Sequence, residues 1–226
     1  MVQSEVLCRV VRIKLGNFAG TAFTIENEGV QYLITAKHLF KNAGYPSSAV
    51  IKILMKKDYL SFDVDIRYPE NQKIDIAVMK LKQYQLITHI YGNKNSTDGL
   101  IMGQDVYFIG FPYEYDDFLE TFPESDYPIP FIKKACLSAF LKDETNTIIL
   151  DGINNPGFSG APVCFKKINS NDKSMSIIGV VSGYRTERKP ILGNNNNQIP
   201  YYVQENSGLI IVYDIKYALQ VTENWN

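Results

Sequence analysis

The sequence has few cysteines, almost no net charge and no long apolar run, and each shortage excludes a class of protein. Three cysteines among 226 residues, an odd and sparse set, do not form a disulfide framework. A net charge of −1 leaves no electrostatic footprint for nucleic acid. No run reaches the roughly 18 apolar residues of a transmembrane helix, and no signal peptide is visible. We therefore expect a cytoplasmic protein with neither a nucleic-acid nor a membrane partner.

Several kinds of chemical site are also missing from the sequence. It contains no cluster of metal ligands, no phosphate-binding glycine loop and no alternating array of aromatic and basic residues. Cys8 and Cys164 lie in apolar, strand-like runs and are expected to be buried thiols, and neither they nor Cys136 occupy a site motif. We therefore expect no metal, no cofactor and no cysteine nucleophile.

Short, β-rich apolar runs separated by turn residues make up most of the chain. Many short strands with turn signals between them predict an all-β barrel or sandwich. A hydrophobic content of 45% is enough for a substantial core. A short helix is predicted at 214–221, with Asp214 as its N-cap. The predicted strands lie at residues 6–15, 20–26, 30–35, 49–55, 59–66, 75–81, 105–110, 131–141, 146–151, 161–167, 176–182 and 208–213.

A polar stretch at 91–99, rich in glycine and asparagine, is the predicted connection between two halves of the chain. The first half then covers residues 1–92 and the second covers residues 99–226. Two long loops are expected as well. The loop at 112–130 either covers a cleft or is a surface insertion, and the loop at 185–200 is expected to be mobile.

The turn at 157–161 reads Gly-Phe-Ser-Gly-Ala and precedes a proline and an apolar run. Glycines let the backbone approach a substrate closely and direct its N–H groups outward, so Ser159 is a candidate nucleophile. Glycine and serine are also common in turns for purely conformational reasons. The turn alone therefore leaves both interpretations open.

Two side chains upstream complete a set for nucleophilic catalysis. His38 ends a β-rich run, and Asp75 stands at the start of another. A serine nucleophile needs an imidazole to take its proton and a carboxylate to orient that imidazole. Asp63 and Asp65 are nearby competitors for the carboxylate role, and His89 is expected to be a surface or linker residue. In chain order the set is histidine, aspartate, serine.

The α/β-hydrolases also place a serine on a glycine-flanked turn, but their order is serine, aspartate, histidine. Both histidines of this chain precede Ser159. Position 161 is also alanine, where the hydrolase motif has glycine. The sequence therefore excludes this arrangement.

The ordered motifs resemble those of the trypsin/chymotrypsin-like serine peptidases, in particular the bacterial type. The resemblance spans nearly the whole chain, and it depends on the order and spacing of several short segments. These segments are Gly20–Thr24, Leu33–His38, Asp75–Val78, Gly103–Pro112, Asn155–Pro162 and Gly179–Gly183.

The resemblance implies a fold and an activity. The fold is all-β, with two six-stranded Greek-key barrels, an active-site cleft between them and a short C-terminal helix. The activity is that of a serine endopeptidase acting through an acyl-enzyme. In it Ser159 attacks the peptide carbonyl, His38 serves as general base and then general acid, and Asp75 orients the imidazole. The backbone N–H groups of Gly157 and Ser159 form the oxyanion hole.

The resemblance also implies a substrate site. Ser182 and Gly183 lie on the strand that pairs with the substrate backbone, and Tyr184 narrows the specificity pocket. Ile153 and Asn154 form the floor of that pocket. Because no acid lies there, we expect an apolar or small residue before the scissile bond rather than lysine or arginine.

Two positions of the turn depart from the family pattern. Phe158 stands where secreted members carry an aspartate that pairs with a new N-terminus, and Ala161 replaces a glycine. Phe158 either stabilises an active turn by packing or leaves an inactive one until a partner binds. Beside a protein or peptide substrate, we therefore expect a separate regulatory protein as a partner. A protease-like binding module and an esterase with the same triad remain alternatives.

Overall fold

The computed structural model describes residues 2–82, 85–86, 94–113, 115, 120–121, 127–168, 174–192 and 198–225, with the side chains of 94, 198 and 199 left out. The chain is mostly β. The helices are α1 Ser4–Leu7, a 3-10 helix Lys37–Ala43 and α2 Lys216–Glu223. The strands are β1 Val10–Leu15, β2 Phe18–Asn27, β3 Val30–Thr35, β4 Ser48–Met55, β5 Asp58–Arg67, β6 Ala77–Leu81, β7 Lys94–Asn95, β8 Asp105–Gly110, β9 Phe131–Phe140, β10 Ile148–Asp151, β11 Pro162–Lys166, β12 Met175–Leu192 and β13 Gln198–Asp214.

The first six strands form a closed antiparallel barrel in the order β1-β2-β3-β6-β5-β4. Side chains alternate between the two faces of a strand, so neighbouring residues reach different cores. Leu33 and Met79 pack inside the barrel, whereas Ile34 and Val78, the residues next to them, belong to a second cluster outside it. The barrel wall is therefore buried on both faces at β3 and β6.

The remaining strands form a second sheet in the order β11-β8-β9-β10-β13-β12-β7. Pairing of β11 with β12 joins six of these strands into a ring, and the two-residue β7 adds to β12 in parallel. Phe108 and Ile178 pack inside this ring. The expected fold class, two six-stranded units with a short C-terminal helix, is confirmed.

One cluster of buried apolar side chains joins the two halves of the molecule. It takes Ile34 and Val78 from the first barrel, Ile109 and Ile177 from the second, and Ala218 from α2. Burial of a side chain of valine or isoleucine size stabilises a fold by about 1.5–3 kcal/mol. The shared cluster therefore holds the two barrels side by side and packs α2 against them.

The structure corrects the sequence prediction at the last two strands. Residues 185–192 and 198–200 were expected in a mobile loop, but they extend β12 and β13 into a long hairpin. The alternation of charged and polar residues there has no apolar face to signal a strand. Residues 193–197 lie outside the described residues, as do His89 and parts of the stretch 91–99 and the loop 112–130.

Smaller differences concern the chain ends and the cysteines. Ile215 rather than Asp214 occupies the N-cap of α2, and Asp214 Oδ1 instead accepts a hydrogen bond from the Lys216 N–H at 2.9 Å. Cys164 is fully buried, which raises the pKa of its thiol to about 12, whereas Cys8 is half-buried. Within the part of the chain that the structure describes, no helix has both the length and the apolar character needed to span a membrane.

Candidate active site

His38 lies in the first turn of the 3-10 helix that follows β3. Leu39 and Phe40 are buried in the first barrel and fix this helix in place. The His38 side chain, by contrast, is 41% exposed. The local sequence therefore buries the two residues after the histidine and leaves the imidazole exposed at the surface of the first barrel.

Asp75 lies in the segment between β5 and β6. Its neighbours Ile74 and Ile76 are both fully buried, so the chain alternates and turns the carboxylate away from the core. Asp75 Oδ1 accepts a hydrogen bond from the His38 backbone N–H at 2.7 Å, and Oδ2 lies 2.6 Å from His38 Nδ1. Because a carboxylate only accepts, this pair places the proton of a neutral imidazole on Nδ1.

Ser159 lies on the turn between β10 and β11, with its Oγ 3.0 Å from His38 Nε2. With the proton on Nδ1, Nε2 accepts the serine hydroxyl hydrogen. The flanking Gly157 and Gly160 have φ values of +103° and +85°, in the region that favours glycine. A Cβ at Gly157 would overlap the Phe111 carbonyl oxygen, and one at Gly160 would overlap the Thr21 carbonyl oxygen. Both glycines are therefore required by conformation and by space.

Ser182, on β12, contacts two of these three residues. Its Oγ donates a hydrogen bond to Asp75 Oδ2 at 2.5 Å, and its carbonyl oxygen lies 3.4 Å from Ser159 Oγ. The sequence placed Ser182 on the strand beside the substrate but gave no reason to connect it with Asp75. The only local signal is a polar residue directly after a run of buried apolar ones.

Thr21, on β2, fastens the serine turn to the first barrel. Its Oγ1 donates to the Gly157 carbonyl at 2.8 Å and accepts from the Phe111 N–H at 3.1 Å. Its backbone N–H donates to the Ser159 carbonyl at 2.9 Å. Arg12, on β1, adds a hydrogen bond from Nη1 to the Phe111 carbonyl at 2.9 Å. The turn therefore belongs to the second barrel by sequence but is held by both.

A second set of contacts holds the beginning of the turn. The Tyr113 N–H donates to the Pro156 carbonyl at 3.1 Å, and Asn155 Nδ2 donates to Tyr113 Oη at 2.6 Å. Lys133 Nζ, from β9, donates to the Ile153 carbonyl and to Asn155 Oδ1, the latter at 2.6 Å. Desolvation by burial lowers the pKa of Lys133 below its usual value. Because these partners are far apart in the chain, sequence reasoning missed them.

Phe158, the unusual residue of the turn, is fully buried. Its ring packs edge-on against Phe108 with the ring centroids 4.9 Å apart. The Lys133 ammonium lies 5.9 Å from the Phe158 ring centroid and 5.7 Å from that of Phe108. Positive charge over an aromatic face is attracted by the ring quadrupole. Phe158 thus anchors the turn by packing, without a carboxylate.

The predicted substrate-binding residues lie on two segments. On the segment before the turn, Ile153 is 61% exposed and Asn154 is 3% exposed, with its carbonyl accepting from Asn206 Nδ2 at 2.8 Å. On β12, Gly183 and Tyr184 follow Ser182 and are half-buried. A Cβ at Gly183 would meet no atom within 4 Å, so this part of the strand faces open space.

The described residues contain no group of three or more histidine, cysteine, aspartate or glutamate side chains placed to hold a metal ion.

Comparison with known proteins finds one family and several solved structures. Residues 20–167 match the family described as Trypsin-like peptidase domain. No curated protein matches the sequence. The serine endoprotease from Yersinia pestis is similar in structure, with a TM-score of 0.57, 16% identity, and coverage of 97% of this chain and 63% of that one.

Two further structures show the same fold at low identity. An HtrA-type protease, AlgW with tripeptide, has a TM-score of 0.60 and 20% identity, covering 97% of this chain and 60% of its own. The MamO protease domain from Magnetospirillum magneticum has a TM-score of 0.53 and 11% identity, covering 99% of both chains. The chain thus spans about three fifths of the length of the Yersinia and AlgW proteins.

Proposed function

Because the chain belongs to the trypsin-like peptidase domain family, we propose that it is a serine endopeptidase that cleaves peptide bonds through an acyl-enzyme. The observation that carries this proposal is the unbroken chain of polar contacts from Asp75 through His38 to Ser159. Its two links measure 2.6 Å and 3.0 Å. A weak hydroxyl nucleophile is activated by a base within hydrogen-bonding distance that is itself oriented by a third group.

In the proposed reaction Ser159 Oγ attacks the carbonyl carbon of the scissile bond while its proton passes to His38 Nε2. The imidazolium that forms is stabilised by Asp75, which stays ionised. Collapse of the tetrahedral intermediate breaks the C–N bond, and Nε2 returns the proton to the leaving amine. Water then attacks the acyl carbon while His38 Nε2 takes its proton. Collapse of the second tetrahedral intermediate breaks the bond between the acyl carbon and Ser159 Oγ, and Nε2 returns the proton to Oγ.

The backbone N–H groups of Gly157 and Ser159 are proposed to bind the oxyanion. Among the described residues, neither N–H donates to a protein acceptor. The peptide bond before Gly157 is trans, so its carbonyl and its N–H point in opposite directions. Tyr113 holds the Pro156 carbonyl on one side, and the Gly157 N–H is thereby directed to the other. Such preorganised donors supply a large share of the rate enhancement in acyl transfer.

We propose that the enzyme prefers substrates with an apolar or small side chain at the residue before the scissile bond. No acid lies at Ile153 or Asn154. Lys133 contacts this segment, and its ammonium donates hydrogen bonds to the Ile153 carbonyl and to Asn155. A basic side chain would therefore meet no opposite charge there.

Partners and location also remain proposals. Three free cysteines, none in a disulfide among the described residues, fit a reducing compartment such as the cytoplasm. We propose a protein or peptide as the substrate and a separate chain as regulator. The buried Phe158 makes activation by a new N-terminus unnecessary, because the turn is already held by Thr21 and Lys133.

Cleavage of a peptide library, read by mass spectrometry, tests this function. We expect cleavage at defined bonds by the wild-type chain, none by Ser159→Ala, and unchanged cleavage by Ser61→Ala, a matched change at an exposed serine of β5. Turnover of small esters without any peptide cleavage would indicate an esterase instead. Equal cleavage by the wild type and Ser159→Ala would overturn the proposed nucleophile.

A further inference from the structure

The strand β12 has one edge that is paired along most of its outer part and one that is not. The register of the paired edge shifts between Val181 and Gly183, between Tyr184 and Thr186, and near the tip. On one side it pairs with β13 from Gly179 to Leu192. On the other side its pairing with β11 ends at Val180. Within the described part of the chain, no strand covers that second edge beyond this point. From about residue 182 outward, the backbone groups that point away from β13 therefore have no strand partner there, although the Arg185 carbonyl accepts a hydrogen bond from Ser207 Oγ at 2.8 Å.

The unpaired edge leads into a hairpin that projects from the second barrel, here called the arm and defined as residues 185–192 and 198–207. The neighbouring strand β10 leaves β13 at Leu209, so the arm has only two strands. An isolated two-stranded ribbon is marginally stable in water. The arm nevertheless exposes large apolar side chains: Leu192, Tyr201, Tyr202 and Val203.

The same edge begins at the catalytic side chains. Ser182, its first residue, touches Asp75 and Ser159. Open space lies beside Gly183. Ser182 and Gly183, beside the proposed active site, and the arm are thus successive parts of one strand, so a substrate chain bound beside Ser182 continues along the arm.

We propose that the arm binds the part of an extended polypeptide substrate that precedes the scissile bond, as an added antiparallel strand on the free edge of β12. This inference rests on the proposed function. The direction follows from β11, which is antiparallel to β12 and is preceded by the Ser159 turn. A substrate that continues the line of β11 has its C-terminal side at Ser159 and its earlier residues along the arm.

The sequence of the arm limits how far this pairing extends. Pro190 has no N–H, and the β12–β13 register shifts between Pro190 and Leu192. Pairing is therefore expected from residue 182 to residue 189, roughly 23 Å at about 3.3 Å per residue, which accommodates about seven substrate residues. Beyond it, the proline protects the tip from unspecific strand addition.

The charges of the arm indicate what kind of sequence it selects. On one face Lys189 is paired with Glu187 and Glu205, and the arm also carries Arg185 and Arg188, so charges of both signs are mixed along it. Backbone pairing supplies affinity for any extended segment, and side-chain pockets supply specificity. The substrate class is therefore an unfolded or extended segment with free backbone N–H groups, rather than a segment of particular charge.

Two peptides with the same sequence around the cleaved bond test the arm, one with three residues before that bond and one with eight. We expect kcat/KM to be about tenfold or more higher for the long peptide, because several backbone hydrogen bonds are added. In a variant with residues 187–205 replaced by Asn-Gly, which joins the facing Thr186 and Asn206, most of the advantage should disappear, because β12 then ends soon after the residues that pair with the short peptide. Cleavage of the short peptide by this variant shows that it folds.

A series of long peptides, each N-methylated at one position before the bond, tests backbone pairing in the unaltered protein. Kcat/KM should fall at every second position, because alternate N–H groups of an added strand face β12. A length advantage that survives the shortened arm, or losses without this alternation, would overturn the proposal.

Binding of both peptides to Ser159→Ala, followed by fluorescence anisotropy, separates the two hypotheses. Tighter binding of the long peptide that is lost with the shortened arm supports the arm even if no bond is cleaved, in which case the proposed peptidase activity fails alone. Cleavage of both peptides at equal kcat/KM, with equal binding, leaves the peptidase and overturns the arm.

Discussion

At the scale of single residues, Lys133 holds the beginning of the serine turn from a neighbouring strand. It lies 26 positions before Ser159 and in a different strand, yet its ammonium binds the Ile153 carbonyl and Asn155 at the start of the serine turn. The sequence predicts His38, Asp75 and Ser159 as site residues because each lies in a short local pattern. Lys133 belongs to no pattern, and its contacts arise only when β9 folds beside the turn.

Lys133→Met therefore tests whether the ammonium positions the turn. We expect kcat for a short peptide to fall by about tenfold to a hundredfold with a smaller change in KM, because loss of a charged hydrogen-bond donor loosens the oxyanion donors. Lys133→Arg should restore part of kcat, whereas a purely structural role would lower only the melting temperature. Lys134→Met, at the exposed neighbour paired with Asp105, is the matched control and should keep full kcat.

Ser182 offers a second test at this scale. Ser182→Ala removes a donor to the Asp75 carboxylate, and hydrogen bonds to charged groups contribute about 1.5–3 kcal/mol. We expect kcat/KM for a short peptide to fall by at least tenfold, measured at saturating and limiting substrate. Ser176→Ala on the same strand should leave it unchanged. Full activity of Ser182→Ala would show that the contact with Asp75 has no part in catalysis.

At the scale of elements, the sequence predicts most of the strands but not the outer parts of β12 and β13. Strands with one or both faces buried, such as β3 and β6, show apolar runs and were found within two residues of their observed ends. The outer parts of β12 and β13 are exposed on both faces, so their alternation carries no hydrophobic signal. The shape of the serine turn could not be predicted either. It depends on steric limits at two glycines and on hydrogen-bond partners from strands that are distant in the sequence.

The turn itself is tested by Gly157→Ala. A Cβ there requires a residue at φ +103° and overlaps the Phe111 carbonyl, so the turn must move. We expect kcat/KM to fall by at least a hundredfold, since one displaced oxyanion donor lowers the rate by about that factor. Gly103→Ala, at φ +80° with no atom within 4 Å of the added Cβ, carries similar backbone strain away from the site. Equal activity of the two variants would contradict the steric argument.

At the scale of the whole molecule, the two barrels meet through a shared apolar cluster and through polar contacts beneath the serine turn. The fold class followed from the sequence, and so did the placement of His38 and Asp75 in the first half and Ser159 in the second, because the order of the motifs determines both. The stability of the contact between the two barrels could not be predicted from the sequence. It depends on which buried polar groups form hydrogen bonds across that contact. Thr21 and Thr24, both on β2 and both fully buried, illustrate the difference.

Replacing each threonine with valine compares a buried hydroxyl that has hydrogen-bond partners with a buried hydroxyl that has none among the described residues. The Thr21 hydroxyl joins Gly157 and Phe111, whereas the Thr24 hydroxyl has no hydrogen-bond partner among the described residues. Thr21→Val leaves buried groups unpaired and should destabilise the fold by about 1–3 kcal/mol. Thr24→Val should be neutral or stabilising. Thermal unfolding measures both, and a larger loss for Thr24→Val would show that the contact between the two barrels is held differently.

Reaction with a fluorophosphonate, followed by mass spectrometry of the digested protein, tests the central claim most directly. Such a probe reacts with a serine only where a base activates its hydroxyl and donors stabilise the developing charge. The account predicts a single adduct on Ser159 in the wild type, and none in His38→Ala. An unlabelled Ser159 in the folded wild-type protein, or labelling that persists in His38→Ala at the same rate, would contradict it.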